Sequence, residues 1–260
     1  MRRLLAGIFA LTLLLAGGCA APGDGEKPVE TLRIVGSTSM LPLSEKLARK
    51  YEESHPGVRI YVQGGDSSLG LKGVAGGIAE IGSLSRPLNR QEKDRFNYFR
   101  LTTDEIVIIV NPNLPVSHLT LEDLKGIFSG SKKNWKEMGG PDLPITVITR
   151  EQGSGTYNVF REAVMGRGLK IARNALVMTS TGAVKTTVAR DRCAIGYISS
   201  RYLSGEVRPL PVDDGKNKSI IFSRPLVYIT DKKINGATRD YIDFVLSDEG
   251  KAVIDEHRLN

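Results

Sequence analysis

Residues 32–51 read LRIVGSTSMLPLSEKLARKY and contain the pattern from which the fold can be predicted. This stretch opens with a short, mainly apolar segment at residues 32–35, which predicts a strand. A turn of glycine, serine and threonine follows at residues 36–39. From Ser39 to Tyr51, apolar residues recur at the spacing of one helix face. The stretch therefore predicts a strand, a hydroxyl-rich turn and a helix in direct succession.

The same succession occurs twice more, with turns rich in glycine and hydroxyl groups at residues 63–68 and 150–156. Strand-like and helix-like segments alternate along the rest of the chain, which is typical of an α/β fold with mostly parallel sheets. Further strands are predicted at residues 58–62, 106–110, 145–149, 194–198 and 225–230, and further helices at residues 71–78, 120–128, 157–164 and 241–254.

The hydroxyl-rich turns indicate a site for an anion. A helix N-terminus has free backbone N–H groups and a partial positive charge, and glycine lets an oxyanion approach the backbone closely. Serine and threonine add hydroxyl donors, and Arg150, in the third turn, can make a two-pronged contact to an oxyanion. For any single turn, the alternative is that the serine or threonine only caps its helix. Three such turns in one chain favour a tetrahedral oxyanion as the ligand.

The composition excludes several classes of protein. The chain has 260 residues, of which 40% are hydrophobic and 25% charged, so it is long and apolar enough to fold as one or two domains. Two cysteines cannot form a disulfide framework for a chain of this length, and Cys193 is predicted to be a buried small hydrophobic residue rather than a catalytic thiol. The formal net charge of +7 raises nucleic acid, an anionic membrane surface or an anionic ligand as partners.

The composition and motifs of the sequence exclude some of these partners and several kinds of active site. Basic residues are spread along the chain and aromatic residues make up only 6%, so no platform for stacking nucleic-acid bases is predicted. The sequence contains neither a P-loop for nucleotides nor the Gly-x-Ser-x-Gly element of hydrolases. Its three histidines and two cysteines form no cluster with metal-ligand spacing. We therefore expect no nucleic-acid partner, catalytic residue, metal or cofactor.

The first residues have the features of a secretion signal. Arg2 and Arg3 precede an apolar run at residues 4–15, which is short for a transmembrane helix but suits a signal peptide. The Leu-Ala-Gly-Gly-Cys segment that ends at Cys19 resembles the lipobox of bacterial lipoproteins, in which the cysteine carries the lipid. We expect a signal peptide at residues 1–18, lipidation of Cys19 and a flexible tether at residues 19–29. The alternative is an ordinary signal peptide that happens to contain a cysteine.

Four segments together resemble the phosphate-binding proteins of bacterial phosphate ABC transporters. They lie at residues 36–42, 63–68, 81–86 and 150–156, and the Arg-x-x-Gly-Ser-Gly-Thr element in the last segment is the most specific. The segments occur in the expected order, and the resemblance covers nearly the whole chain after the signal peptide.

The resemblance implies a two-lobed fold of the type II periplasmic-binding-protein superfamily, with two crossover strands between the lobes and closure around the ligand by a hinge motion. We place the crossovers near residues 103–111 and 219–230. Lobe one then comprises residues 30–107 plus 225–260, and lobe two residues 108–224. The ligand-binding residues that the resemblance implies are Ser39, Met40 through its backbone amide, Ser67, Ser85, Arg150, Gln152, Ser154, Gly155 and Thr156.

The implied function is the capture of inorganic phosphate and its delivery to the permease of an ABC transporter, by a monomer without enzymatic activity. With the predicted lipid anchor, the protein would lie in the periplasm or at the outer face of the cytoplasmic membrane. Gln152 departs from the family pattern, since relatives usually have aspartate or glutamate there. Glutamine can accept a hydrogen bond but cannot repel sulfate by charge, unless neighbouring Glu151 compensates. Sulfate and molybdate remain alternative ligands, and a phosphatase on the same scaffold is a further alternative.

Overall fold

The structure is a computed structural model that describes residues 29–166 and 168–259. The predicted signal peptide, the predicted lipidation site Cys19 and the tether up to residue 28 lie outside the described residues. Within the described ranges, none of the helices combines the length and the apolar character that crossing a lipid bilayer requires.

Most strands of the described chain belong to one mixed sheet. The strands run Glu30–Ser37 (β1), Val58–Gly65 (β2), Ile81–Leu84 (β3), Asn97–Val110 (β4), Leu119–Thr120 (β5), Thr146–Arg150 (β6), Leu176–Met178 (β7), Ala194–Ser199 (β8), Arg208–Pro209 (β9), Val212–Asp213 (β10) and Phe222–Thr230 (β11). The sheet has the order β2-β1-β3-β11-β4-β8-β6-β7, and β9 pairs with β4. The short strands β5 and β10 form a separate parallel pair.

The helices follow the strands in the alternation that the sequence predicts. They run Leu41–Ser54 (α1), Ser67–Ala75 (α2), Arg90–Arg95 (α3), Leu121–Ser129 (α4), Gly155–Phe160 (α5), Thr181–Arg190 (α6), Gly236–Leu246 (α7) and Asp248–Leu259 (α8). A π-helical turn continues α5, and two short 3-10 helices lie at Trp135–Met138 and Ser200–Tyr202. The predicted α/β class is confirmed.

Two long antiparallel strands connect the two halves of the sheet. β4 pairs with β11 over residues 97–106 and with β8 over residues 106–110, while β11 also pairs with β3. Parallel pairs lie on either side, β1 with β2 and β3, and β6 with β7 and β8. This arrangement confirms the two-lobed fold with two crossover strands. β4 begins at Asn97, nine residues before the apolar run at residues 106–110 from which the strand was predicted. Residues 97–105 are partly polar, so an apolar pattern does not reveal them, and their backbone pairing with β11 makes them part of the strand.

Separate hydrophobic cores lie on the two sides of the crossing strands. One contains Leu43, Tyr51 and Tyr241, and the rings of these two tyrosines meet edge to face at 5.1 Å. The other contains Phe160 and Tyr197, whose rings stack at 3.9 Å. We call the part with β1–β3, α1–α3, α7 and α8 lobe one, and the part with β6–β8 and α4–α6 lobe two. The residue boundaries of the lobes given above stay a prediction.

Candidate functional site

Four helix N-termini meet between the lobes. α1 follows β1 and α2 follows β2 in lobe one, while α5 follows β6 and α6 follows β7 in lobe two. Each helix therefore starts at the carboxyl end of a parallel strand, which is where open α/β sheets bind ligands. Ser39, just before α1, and Ser67, Thr156 and Thr181, in the first turns of α2, α5 and α6, are buried, and Ser39 contacts Thr156 and Thr181 across the cleft. The free N–H groups and positive dipole ends of four helices thus lie close to one point.

The helix caps distinguish structural hydroxyl groups from those of the site. Asp66, Ser154 and Ser180 cap α2, α5 and α6, because their side chains accept hydrogen bonds from first-turn N–H groups. The hydroxyl of Ser154, one of the predicted ligand residues, therefore caps its helix, which is the alternative given above for a single turn. The hydroxyl groups that follow these caps and make other contacts belong to Ser67, Thr156 and Thr181.

The start of α1 has no side-chain cap. Met40 occupies the cap position, and Pro42 lies in the first turn, where a proline has no N–H group to satisfy. The backbone amide of Met40, which the family resemblance placed at the ligand, donates to the carbonyl oxygen of Ser37 at 2.9 Å. The Met40 side chain is buried in the core of lobe one. Ser39 contributes its hydroxyl group to the cleft instead of to the helix.

The centre of the cleft is a cluster of hydroxyl groups from both lobes. Ser39 Oγ lies 3.1 Å from Thr156 Oγ1 and 3.1 Å from Thr181 Oγ1. Thr38 Oγ1 lies 3.2 Å from Thr181 Oγ1 and accepts a hydrogen bond from the Thr181 backbone N–H group at 3.1 Å. All four residues are at most 7% exposed, so water competes little for these groups.

Two predicted serines of lobe one lie against the start of α5. The Ser85 N–H group donates to Ser67 Oγ at 3.2 Å, and Ser37 Oγ donates to Ser85 Oγ at 2.8 Å. Gly155 packs so closely here that a Cβ atom on it would lie 2.4 Å from Ser67 Oγ and 2.7 Å from Ser85 Oγ. A glycine at this position therefore permits the close approach of the two lobes.

Arg150 lies beside the hydroxyl cluster and is 3% exposed. Its Nε and Nη2 atoms donate to the two carboxylate oxygens of Glu151 at 2.9 and 2.8 Å, and Nη1 donates to Thr181 Oγ1 at 3.2 Å. The Arg150 N–H group donates to the hydroxyl of Tyr197, whose pKa is raised by burial. The bidentate pair fixes the plane of the guanidinium and leaves Nη1 facing the cleft.

Further bonds hold the lobes together at the rim of the cleft. The Tyr202 hydroxyl donates to the Thr38 carbonyl oxygen at 2.5 Å, and burial raises the pKa of Tyr202 to about 12, so it stays protonated. On the other side, the N–H group and the hydroxyl of Ser68 both donate to the carbonyl oxygen of Gly153 at 3.2 Å. The structure is therefore a closed form of the two lobes.

Sequence reasoning missed four residues of this region, Thr38, Thr181, Asp104 and Arg224. The segment around Thr181 has the same succession of strand, hydroxyl-rich turn and helix. Its strand, β7, has only three residues, so the pattern was not recognised in the sequence. Arg224 and Asp104 are charged residues inside strands, where they are 2% and 3% exposed. Charged residues are almost never fully buried unless they are paired, and that rule could have singled out both.

Gln152 does not join the other predicted residues. Its side chain is exposed and lines a surface cavity of about 550 Å³ together with Tyr157, Asn158 and Arg161. The carboxylate of the neighbouring Glu151 is bound to Arg150. Among the residues that the structure describes, no group of three or more histidine, cysteine, aspartate or glutamate side chains is placed to hold a metal ion.

Two lobes that are joined by two crossing strands and close over a polar cleft are typical of solute-binding proteins. The chain belongs to the PBP superfamily, since the family model for the PBP superfamily domain matches residues 22–249. The crystal structure of a "Putative Phosphate ABC Transporter Substrate-Binding Protein with Bound Phosphate" from Clostridium perfringens is 34% identical with a TM-score of 0.80, and the match covers 88% of this chain and 98% of that one.

Two other relatives agree with this assignment. An ABC-type phosphate transport receptor from Vibrio cholerae is 32% identical with a TM-score of 0.70, and the match covers 88% of this chain and 98% of that one. The phosphate-binding protein PstS of Staphylococcus epidermidis is 29% identical, and the match covers 93% of this chain and 83% of that protein. The resemblance inferred from the hydroxyl-rich turns is confirmed.

Gly155→Ala is expected to hold the lobes apart, because the added Cβ would overlap Ser67 Oγ and Ser85 Oγ of the other lobe. We expect a larger radius of gyration than for the wild-type protein in small-angle X-ray scattering. Gly182→Ala is the matched control, since Gly182 also lies in a first helical turn at the cleft but its Cβ would meet nothing within 4 Å. Identical scattering curves for Gly155→Ala and the wild type would contradict the closed packing.

Proposed function

We propose that this protein captures inorganic phosphate between its lobes, outside the cytoplasm, and delivers it to an ABC permease. The observation that carries the proposal is the buried cluster of Ser39, Thr156 and Thr181 hydroxyl groups, at helix N-termini and beside Arg150. The names of the relatives support it, since they are phosphate-transport proteins and the Clostridium perfringens structure contains bound phosphate.

In this proposal, the anion takes the place of the contacts between hydroxyl groups across the cleft. Each hydroxyl has one proton to donate, and the helix N–H groups and the free face of Arg150 add further donors. Because donors from both lobes would bind one anion, ligand binding and lobe closure stabilise each other. Recognition of this kind forms no covalent bond, so a binding protein rather than a phosphatase follows.

The placement of Gln152 leaves sulfate as a second candidate ligand. A protonated phosphate oxygen needs a hydrogen-bond acceptor, whereas sulfate presents acceptors only. Among the described side chains, none of the carboxylates makes a hydrogen bond to Ser39, Thr156 or Thr181, whose partners are one another, Thr38 and two arginines. We favour phosphate because of the relatives, and we treat discrimination against sulfate as the point to measure.

Isothermal titration calorimetry of the purified protein with phosphate, arsenate, sulfate and molybdate tests this function. We expect binding of phosphate and of its close analogue arsenate, and weaker binding of the other two anions. Tighter binding of sulfate than of phosphate would transfer the proposal to sulfate. If none of the four anions binds, the proposed function is wrong.

Arg150→Ala is expected to weaken phosphate binding by about ten- to a hundredfold, since hydrogen bonds to charged groups contribute about 1.5–3 kcal/mol. The variant also leaves Glu151 without its bidentate partner, and the unpaired carboxylate would repel an anion. The double variant Arg150→Gln/Glu151→Gln separates the two effects. We expect it to remain weak in calorimetry. Full recovery of affinity would mean that Arg150 only neutralises Glu151.

We also propose that a lipid on Cys19 anchors the protein to a membrane surface. The support is the sequence around it, with Arg2 and Arg3, the apolar run and the small residues before the cysteine. Expression in a bacterium that is fed radiolabelled palmitate tests the anchor. We expect label on the wild-type chain and none on Cys19→Ser, and an unlabelled wild-type chain would contradict it.

A further inference from the structure

A second arginine reaches the hydroxyl cluster from the crossing strands. Arg224 lies on β11, is 2% exposed, and donates from Nη1 to Thr156 Oγ1 at 2.6 Å. The same nitrogen lies 3.4 Å from the carbonyl oxygen of Ser85 in lobe one. One guanidinium thus contacts residues of both lobes at the point where they meet.

The other side of this guanidinium is fixed by Asp104 on β4. Arg224 and Asp104 are directly opposite each other in the register of the two crossing strands. Nε donates to Asp104 Oδ2 at 2.9 Å, and Nη2 is paired with the same oxygen at 2.8 Å. The second carboxylate oxygen accepts hydrogen bonds from Ser199 and Ser200 at 2.9 and 3.3 Å. Both partners of this buried pair are therefore held in one orientation.

The contact to Thr156 occupies one acceptor position of its hydroxyl. A guanidinium donates hydrogen bonds and never accepts them, so Thr156 Oγ1 is the acceptor of the Arg224 contact. The hydroxyl keeps its proton for a donation on the side of Ser39 Oγ, which lies 3.1 Å away. Thr181 is placed in the same way, because Arg150 Nη1 donates to Thr181 Oγ1. Both threonines of lobe two can therefore donate towards the centre of the cleft while an arginine donates to them.

We propose that Arg224 is a positioning residue of the oxyanion site, which holds the Thr156 hydroxyl as a hydrogen-bond donor to the anion. This inference rests on the proposed function, because it needs an oxyanion in the cleft. It assigns Asp104 the task of holding Arg224 in place. Oriented donors suit the charged oxygens of an anion better than a hydrogen-bearing oxygen, whose proton needs an acceptor of its own.

A cycle of variants tests whether Arg224 acts through Thr156. Asp104→Asn/Arg224→Gln replaces the ion pair by two neutral amides, so neither of these two partners is left as an unpaired charge. Arg201, whose Nε lies 3.8 Å from Asp104 Oδ1, stays unchanged in this variant. The cycle compares the wild type, this double variant, Thr156→Val and the triple variant, with inorganic phosphate as the probe in calorimetry. We expect the double variant and Thr156→Val each to weaken binding about ten- to a hundredfold. The triple variant should bind at most about threefold more weakly than either of them. The reason is that the double variant, Thr156→Val and the triple variant all remove the same hydrogen bond, the one from the Thr156 hydroxyl to the anion.

Two outcomes would overturn the inference: wild-type affinity in Asp104→Asn/Arg224→Gln, or losses that multiply in the triple variant. Arg33→Gln/Glu80→Gln is the control, since it removes a bidentate arginine–carboxylate pair of lobe one that is more exposed, and it should bind phosphate like the wild type. If Asp104→Asn/Arg224→Gln does not fold, as judged by urea denaturation, Arg224→Lys enters the cycle instead. Lysine keeps the charge opposite Asp104 but lacks the planar fork that also reaches Thr156.

The same data separate this inference from the proposed function. A wild-type protein that binds none of the tested oxyanions overturns both. A wild-type protein that binds phosphate, together with an unaffected Asp104→Asn/Arg224→Gln variant, overturns the role of Arg224 and leaves the phosphate site in place.

Discussion

The antiparallel pairing of β4 with β11 holds the two lobes together and sets the position of the residues between them. β4 pairs with β11 along one half and with β8 along the other, so the same strand belongs to the sheets of both lobes. The lobes cannot separate without breaking this ladder, but they can rotate about it, since only two strands cross. The pairing also sets Arg224 opposite Asp104 and places a buried ion pair at the base of the cleft. The hinge and the floor of the site are therefore the same element.

The chemistry of the cleft follows from how its charges are balanced. Arg150 is paired with Glu151 and Arg224 with Asp104, so each arginine enters the interior with a carboxylate partner. The pairs leave little net charge beside the cluster, and oriented hydroxyl and N–H donors remain to select an anion. The net charge of +7, to which Arg2 and Arg3 of the predicted signal peptide contribute, acts at a distance and is screened by salt. Hydrogen bonds from oriented donors act only at short range and in the correct geometry. Because the donors come from both lobes, the anion is selected only when the lobes are closed.

The parts of the fold and site that depend on local sequence were predictable. Hydroxyl-rich turns after strands identified the starts of α1, α2 and α5, because a strand, a tight turn and a helix start each have a local signature. The start of α6 carries the same signature, weakened by the three-residue strand β7. The pairing of Arg224 with Asp104 was not predictable, since 120 residues separate them and strand register is set by the tertiary fold. The direction of the Gln152 side chain was not predictable either, because this residue lies in a turn that has no periodic pattern.

The turn at residues 150–156 shows that a matching motif does not determine where each of its side chains points. In this turn the side chain of Gln152 is exposed, while the preceding Glu151 binds Nε and Nη2 of Arg150 and leaves Nη1 facing the cleft. The Glu151 carboxylate orients the Arg150 guanidinium. Both of its oxygens are bound to Arg150, so it does not face the cleft as a free acceptor. In the hydroxyl cluster, an arginine donates to each of the two threonine oxygens, Arg150 to Thr181 and Arg224 to Thr156. Two charged pairs, one local and one across the crossing strands, thus occupy an acceptor position on two neutral hydroxyl groups and leave their protons available to an anion.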